Sequence, residues 1–334
     1  MTATTAGHLV DASRAFDDPF TRAVTATVGV MVLATPAVIR LLAGTGRIAA
    51  PTADELLLRS RSWIVLAAAI LVPILLGAAW TIVGVGVLSL LCFREYARAT
   101  GLSRERDVCL VVVLGILALA FAELDHWYRL FVALVPFTSG IIAIVAILRD
   151  RPQGYLQRVA LGVLGFILFG SCLGHLGYLA NDRNYRPLLI LIVLAVELND
   201  VFAFLVGRLC GRRPLAPHTS PRKTVAGAVG ALVLTTLLVA AAGTVVFRGT
   251  PLAHPLHLVI LGVLVSVLGQ FGDLMLSSIK RDVGIKDMSA TIPGHGGLLD
   301  RFDSMILVAP AVFHYVNYFV GVAMDRPPHA LTGG

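Results

Sequence analysis

Between Asp273 and Asp303 an otherwise apolar chain turns polar, and the residue types in that stretch define a narrow range of chemistry. Asp273, Ser277, Lys280 and Arg281 fall at i, i+4, i+7 and i+8, so a helix that continues through Arg281 puts them on one face. Lys286 and Asp287 follow, then the loop Pro293 to Gly297 with His295, Gly296 and Gly297. Asp300 and Asp303, at i, i+3, flank Arg301 and can converge as a pair. Carboxylates set among cations do not form a general acid–base pair. They suit Mg²⁺, which is commonly held by one or two carboxylates plus substrate phosphates. Lys and Arg suit phosphate oxygens, and glycines let a backbone approach a polyphosphate closely. The chemistry indicated is metal-assisted transfer at phosphorus, in which catalysis is mostly positioning and charge neutralisation.

A second polar block carries Glu197, Asn199 and Asp200, then Ser220, Lys223 and Thr224. Of 27 Lys and Arg residues only Lys223, Lys280 and Lys286 are lysines, and all three lie in these two blocks. A chain that otherwise uses Arg keeps a compact ammonium where a phosphate needs a point charge. The plainer alternative for the aspartates is a structural ion-pair network at a membrane boundary. For His295, a loop hydrogen bond or a phosphate contact is preferred over a proton shuttle. His175, alone in an apolar segment, reads as a satisfied interhelical donor, whereas Glu197 is a functional candidate because acids that deep are expensive.

The elements that must position these residues are membrane helices. The 334 residues are 57% hydrophobic and 14% charged, against roughly 25% charged in soluble domains, and the mean hydropathy is +0.84. Stretches of about 20 apolar residues cross a bilayer as helices. Ten such spans are read, at 23–43, 63–78, 80–93, 108–123, 128–148, 158–180, 187–207, 224–247, 256–279 and 304–324. The second and third form either a tight hairpin around Trp80 or one broken segment, which would make nine. The expected fold is an all-α polytopic bundle, one integral domain with N-terminal spans in 1–186 and the chemistry in 187–334. Alternate connections hold the basic residues: Arg47, Arg59 and Arg61; Arg94, Arg98, Arg104 and Arg106; Arg149, Arg151 and Arg158; Arg208, Arg212, Arg213, Arg222 and Lys223; Lys280, Arg281, Lys286 and Arg301. The others hold Arg129, Arg183, Arg186 and Arg248. The positive-inside rule then puts both polar blocks in the cytoplasm and both termini outside.

Composition also excludes several classes. Cys92, Cys109, Cys172 and Cys210 are scattered without a CxxC pair, so neither a disulfide framework nor a zinc site is indicated. The formal net charge of +7 belongs to orientation and anionic lipid rather than nucleic acid, since no basic stripe with interleaved aromatics occurs. The first twenty residues lack the basic n-region and short apolar core of a cleaved signal peptide, which leaves the first span as the insertion signal.

The run from Ser277 to Asp303 resembles the signature of the phosphatidate cytidylyltransferases, or CDP-diacylglycerol synthases. The matching positions are Ser277, Lys280, Arg281, Lys286, Asp287, His295, Gly296, Gly297, Asp300, Arg301 and Asp303. Asn199, Asp200, Gly207, Arg208 and the stretch Leu215 to Thr224 resemble that family's second region, so the likeness covers the C-terminal 140 or so residues. The resemblance implies an integral plasma- or inner-membrane nucleotidyltransferase that joins CTP to phosphatidate, or a related anionic lipid, and releases pyrophosphate. It further implies Mg²⁺ at Asp273, Asp300 and Asp303, with room for a monovalent cation such as K⁺ beside it. The catalytic set that the resemblance implies is Asp273, Lys280, Arg281 and Asp300. Asn199, Asp200, Ser220, Lys223, Thr224, Ser277, Lys286, Asp287, His295, Gly296, Gly297 and Arg301 are implied substrate contacts. A homodimer is left open. The sequence departs from the family at Ala226, where the pattern has Glu; either Glu197 or Asp200 replaces that acid, or the acceptor lipid differs. A CTP-dependent kinase of polyprenols or other lipid alcohols is the alternative enzyme, and an ion-coupled transporter the alternative of another class.

Overall fold

The computed structural model describes residues 9–148, 150–294, 296–322 and 331–332. Its helices are α1 (Pro19–Gly44), α2 (Ala50–Leu76), α3 (Ala78–Ala99), α4 (Arg106–Leu124), α5 (Tyr128–Ile147), α6 (Tyr155–Leu179) and α7 (Tyr185–Cys210). A short hairpin of β1 (Pro214–Ala216) and β2 (Ser220–Thr224) leads into α8 (Val225–Val246) and α9 (Pro255–Asp282); the one-turn α10 (Leu299–Phe302) and α11 (Met305–Val320) are the last helices among the described residues. Among the described residues nine helices, α1 to α9, are long and apolar enough to cross a membrane. The protein is an all-α polytopic membrane bundle. The tenth expected span, 304–324, is the shorter α11, whose 16 residues rise about 24 Å.

The uncertain second and third spans are two helices broken at Gly77. There φ is +148°, and a Cβ would lie 2.7 Å from the Leu9 carbonyl oxygen, so only glycine makes the turn. Both helices extend past their apolar cores. Arg59 and Arg61 lie on α2, and Arg94 and Arg98 on α3, not in the loops expected from hydropathy. Hydropathy marks only the lipid-facing part of a helix, whereas backbone hydrogen bonding carries the helix further. The ion pair of Arg59 with Glu55, one turn apart at 2.5 Å, supports that extension. Arg149 and His295 lie outside the described residues.

One cluster of buried residues runs through the bundle. Phe93 and Tyr96 of α3 pack against the π-turn Phe166–Cys172 inside α6, and the Tyr96 hydroxyl donates to the Leu161 carbonyl at 3.2 Å. His175 is satisfied within its own helix, through Nδ1 and the Ser171 carbonyl at 2.7 Å, not across helices as expected. Its ring sits among Phe131, Phe313 and His314.

The helices that carry the two polar blocks approach closely through small residues, as membrane helices do. Gly230 of α8 faces Val206 of α7, and Gly262 of α9 faces Thr236 of α8. Asn199, with no exposed surface, joins all three. Its Oδ1 accepts from Thr235 of α8 at 3.0 Å and from Ser266 of α9 at 2.6 Å. The geometry of Asn199 is that of an interhelical junction. Replacing it by Leu should strand both hydroxyls and destabilise the bundle by about 1–2 kcal/mol. The expected readout is a lower thermal midpoint in detergent.

Candidate active site

The end of α9 behaves as its spacing requires: the helix continues through Asp282, so Asp273, Ser277 and Lys280 line one face. Ser277 donates its hydroxyl to Asp273 Oδ1 at 3.1 Å. Lys223, at the end of the β-hairpin, reaches Asp273 Oδ2 at 2.5 Å. The hairpin register pairs Pro214 with Thr224 and Ala216 with Ser220. Thr224 then caps α8, its Oγ1 accepting from the Gly227 amide at 3.1 Å. This cap fixes the residue next to Lys223 and so directs the ammonium toward α9. Capping of this kind is worth about 1 kcal/mol.

Arg281 points away from that face. Its Nε donates to the Thr219 carbonyl at 3.3 Å and its Nη1 to that of Ile285 at 2.9 Å, so it ties the hairpin loop to the segment after α9. Lys286, Asp287 and Arg301 are exposed at the rim.

Lys280 is the internal cation. Its side chain is 10% exposed and that of Asp300 5%, and they pair at 2.8 Å. The second Asp300 oxygen accepts from the amides of Met288 at 2.9 Å and Gly297 at 3.0 Å. Asp300 therefore organises the loop before it as well as neutralising Lys280. Gly296, at φ +84°, and Gly297 follow from this folding-back. A Cβ on Gly297 would lie 2.6 Å from Glu95 Oε2 and 3.0 Å from Asp300 Oδ2.

Asp303 takes a different direction from Asp300. Its Oδ1 accepts from the Ser304 amide at 2.8 Å, while the Ser304 hydroxyl donates to Asp200 Oδ2 at 3.2 Å. Gly272 makes this neighbourhood accessible: a Cβ there would lie 2.6 Å from the Asp303 carbonyl oxygen, so α9 and the chain entering α11 nearly touch. Burial pushes the Asp303 carboxyl well above the usual carboxylate range; Asp273 adds to the shift and Lys280 opposes it. Asp200, Asp273 and Asp303 thus share one electrostatic neighbourhood, with Lys223 and Lys280 beside them. Glu197 lies within the electrostatic reach of Asp200 and Arg301.

Among the described residues no three His, Cys, Asp or Glu side chains are grouped as a closed metal cage. The donors nonetheless fit a hard cation that uses one or two carboxylates and completes its shell with water and substrate phosphate. Asp273 is held by side chains alone, a hydroxyl and a lysine, whereas Asp300 is also held by two backbone amides.

A cytidylyltransferase family model matches residues 57–319, most of the chain and all of the geometry above. The chain belongs to the cytidylyltransferase family. It is a nucleotidyltransferase. It is 32% identical over 273 residues to the uncharacterized protein YnbB of Escherichia coli, covering 79% of this chain and 88% of that one. It is also 42% identical over 134 residues to the phosphatidate cytidylyltransferase of Staphylococcus saprophyticus, covering 40% of this chain and 50% of the relative. Against the phosphatidate cytidylyltransferase of Bacillus subtilis it is 34% identical over 165 residues, 49% of this chain and 60% of the relative. The chain therefore spans about half to three fifths of the length of these two relatives.

Sequence reasoning missed one residue of this candidate site. Glu95 of α3, 7% exposed, accepts through Oε1 from the Ser289 hydroxyl at 2.7 Å and the Leu298 amide at 3.1 Å. Its Oε2 accepts from the Leu299 amide at 2.9 Å. It caps the turn of α10 that presents Asp300, from 200 or so residues upstream. In the sequence it is hidden between Arg94 and Arg98, where it reads as one more charge of a membrane boundary; that it falls inside a helix on the polar side was the available signal. Glu95→Ala should leave the Leu298 and Leu299 amides without their acceptor and loosen the stretch Met288 to Leu298. Expected outcomes are faster limited proteolysis within that stretch and a fall in kcat of about tenfold or more. Glu95→Gln should restore only part of the loss, because an amide nitrogen cannot accept from Leu298 or Leu299.

Proposed function

We propose that this membrane protein transfers the cytidylyl group of CTP to phosphatidate, or to a closely related lipid phosphate, with its polar site facing the cytoplasm. The products are CDP-diacylglycerol and pyrophosphate. A phosphate oxygen of the lipid bonds to the α-phosphorus of CTP, the bond from that phosphorus to the bridging α–β oxygen breaks, and pyrophosphate carries away the released electron pair. The observation that carries this reading is the convergence of Lys223 on Asp273 and Lys280 on Asp300 beside a glycine loop. It joins hard-cation donors to phosphate-binding ammonium groups within one small volume. The names of the Staphylococcus and Bacillus relatives support the nucleotide and the lipid class. The distribution of Arg and Lys along the chain supports the orientation.

The chain's own residues have distinct parts in this scheme. Lys223 and Lys280 neutralise the charge of the triphosphate and of the departing pyrophosphate, and Lys286 and Arg301 draw nucleotide in from the rim. Arg281 keeps the hairpin, with Ser220 and Thr224, against the end of α9. Gly296 and Gly297 leave room for the carboxylates of Asp300 and Glu95 to lie against the loop backbone, while Asp287 lies beside Gly296 at the loop's edge. Of the three carboxylates considered for Mg²⁺, Asp273 and Asp303 are best suited, because Asp300 is committed to loop amides. Mg²⁺ bound there, with or without a monovalent neighbour, supplies charge neutralisation at the phosphates. Asp200, hydrogen-bonded to Ser304 and near Lys223, takes the place of the acid missing at Ala226.

With purified protein in detergent, CTP and phosphatidate together should release pyrophosphate, and the lipid product should carry the added mass of CMP less water. Asp273→Asn should lower kcat by about a hundredfold or more, since positioning and charge neutralisation make up most of such catalysis. EDTA should abolish turnover and Mg²⁺ restore it. Release of CDP with a phosphorylated lipid alcohol would instead identify a kinase.

A further inference from the structure

A large apolar cavity lies beside the site and has no part in the chemistry described so far. Its volume is ≈ 690 Å³, between α2 and α3, with Leu176 of α6 and Leu189 and Val193 of α7 among the residues that floor it. The hairpin closes near its turn, where Thr81 donates to the Pro73 carbonyl at 3.2 Å. Gly84 lies there against the Pro73 ring. Away from that closure the exposed side chains of Val65, Val87 and Leu91 border the cavity, so it opens toward the surface that lipid covers. Along α2 its lining runs from Leu58 to Ile74. At 1.5 Å rise per residue that stretch is about 24 Å long, more than the roughly 15 Å hydrocarbon depth of one leaflet.

The other end of the cavity is the active-site loop itself. Thr291, Ile292, Pro293 and Leu298 line it there, within the segment that Asp300 and Glu95 hold in place. Ser62 of α2 donates to the Pro293 carbonyl at 2.9 Å, and Gly294 lies against the Arg59 side chain. Arg61 is the single charged residue in the lining. It is exposed, and among the described residues no acid pairs with it, whereas its neighbour Arg59 is paired with Glu55. A deep apolar slot, open sideways to lipid, with one unpaired guanidinium at the end nearest a phosphoryl-transfer site, matches an anionic lipid with long acyl chains. A guanidinium binds phosphate oxygens in pairs.

We infer that the cleft between α2 and α3 holds the acyl chains of the lipid phosphate that accepts the cytidylyl group, and that Arg61 at its mouth holds that lipid's phosphate. The inference rests on the transfer reaction proposed above. It gives the basic residue at 61 a substrate to bind in addition to its part in orientation.

The test uses the full chain in detergent, with dioleoyl- and dihexanoyl-phosphatidate as probes and two cavity-filling variants, Ala69→Trp and Leu88→Trp. Native mass spectrometry without nucleotide should show dioleoyl-phosphatidate retained by the wild type and largely lost from both variants. In the pyrophosphate assay the KM for the dioleoyl lipid should rise about tenfold or more, with KM for CTP and for the short-chain lipid little changed. Arg61→Ala should raise KM for both lipids, and Arg61→Lys should recover part of that loss. Filled variants that bind and use the long-chain lipid as the wild type does would overturn the acyl assignment. Equal retention of dioleoylglycerol and of the phosphatidate would overturn the role of Arg61. If a tryptophan variant loses its thermal transition, Ala69→Phe replaces it with a smaller obstruction. The two levels separate cleanly. Retention without CTP turnover in the wild type discards the reaction and keeps the cleft, and turnover indifferent to the filled cleft does the reverse.

Discussion

An ionised carboxylate in an apolar helix bundle is stable only with its countercharge and hydrogen bonds in place, and the site is arranged around that requirement. Lys280 and Asp300, 2.8 Å apart and nearly excluded from water, are its centre. Removing one partner of such a buried pair costs about 3–5 kcal/mol, more than most single contacts in the molecule contribute. The pair fixes the end of α9 relative to α10, and through the amides of Met288 and Gly297 it also fixes the loop between them. Close approach of Gly272 to the Asp303 carbonyl oxygen brings the remaining acids into the same neighbourhood. Charge compensation and chain geometry are therefore one problem here, solved by the same few residues.

The same requirement separates residues that face the chemistry from residues that hold the bundle. Asn199 and Arg281, both in polar segments, spend their hydrogen bonds on protein groups. Lys223 and Lys280 pair with carboxylates and offer charge that a phosphate could share. A polar residue within a membrane protein is thus not automatically a ligand. Its partners decide.

Much of this was legible in the sequence. The apolar spans are long, and the helical spacing from Asp273 to Lys280 is a local property that no tertiary contact overrides. The two polar blocks were visible because a charge in an apolar stretch is expensive and stands out. What could not be read was everything that depends on distance in space. Asp300 and Asp303, three residues apart on a backbone that stays helical through Ser304, turn to different partners: Asp300 to Lys280 and two loop amides, Asp303 to the Ser304 amide. Helix ends were misplaced at Arg59, Arg61, Arg94 and Arg98, since hydropathy falls where the helix does not stop. Glu95 was missed because its partners, Ser289, Leu298 and Leu299, lie 194, 203 and 204 positions away.

That last connection bears on how such a protein can change over evolution. The residues with recognisable chemistry are gathered in 187–334, which looks like a portable cassette. Yet the carboxylate that caps the turn presenting Asp300 comes from α3. A recombinant that exchanged only the C-terminal part with a relative would bring every signature residue and still depend on what its new neighbour carries at position 95. The two parts are bound to a shared history through one side chain, and drift at that position is constrained by a loop that was synthesised long after it.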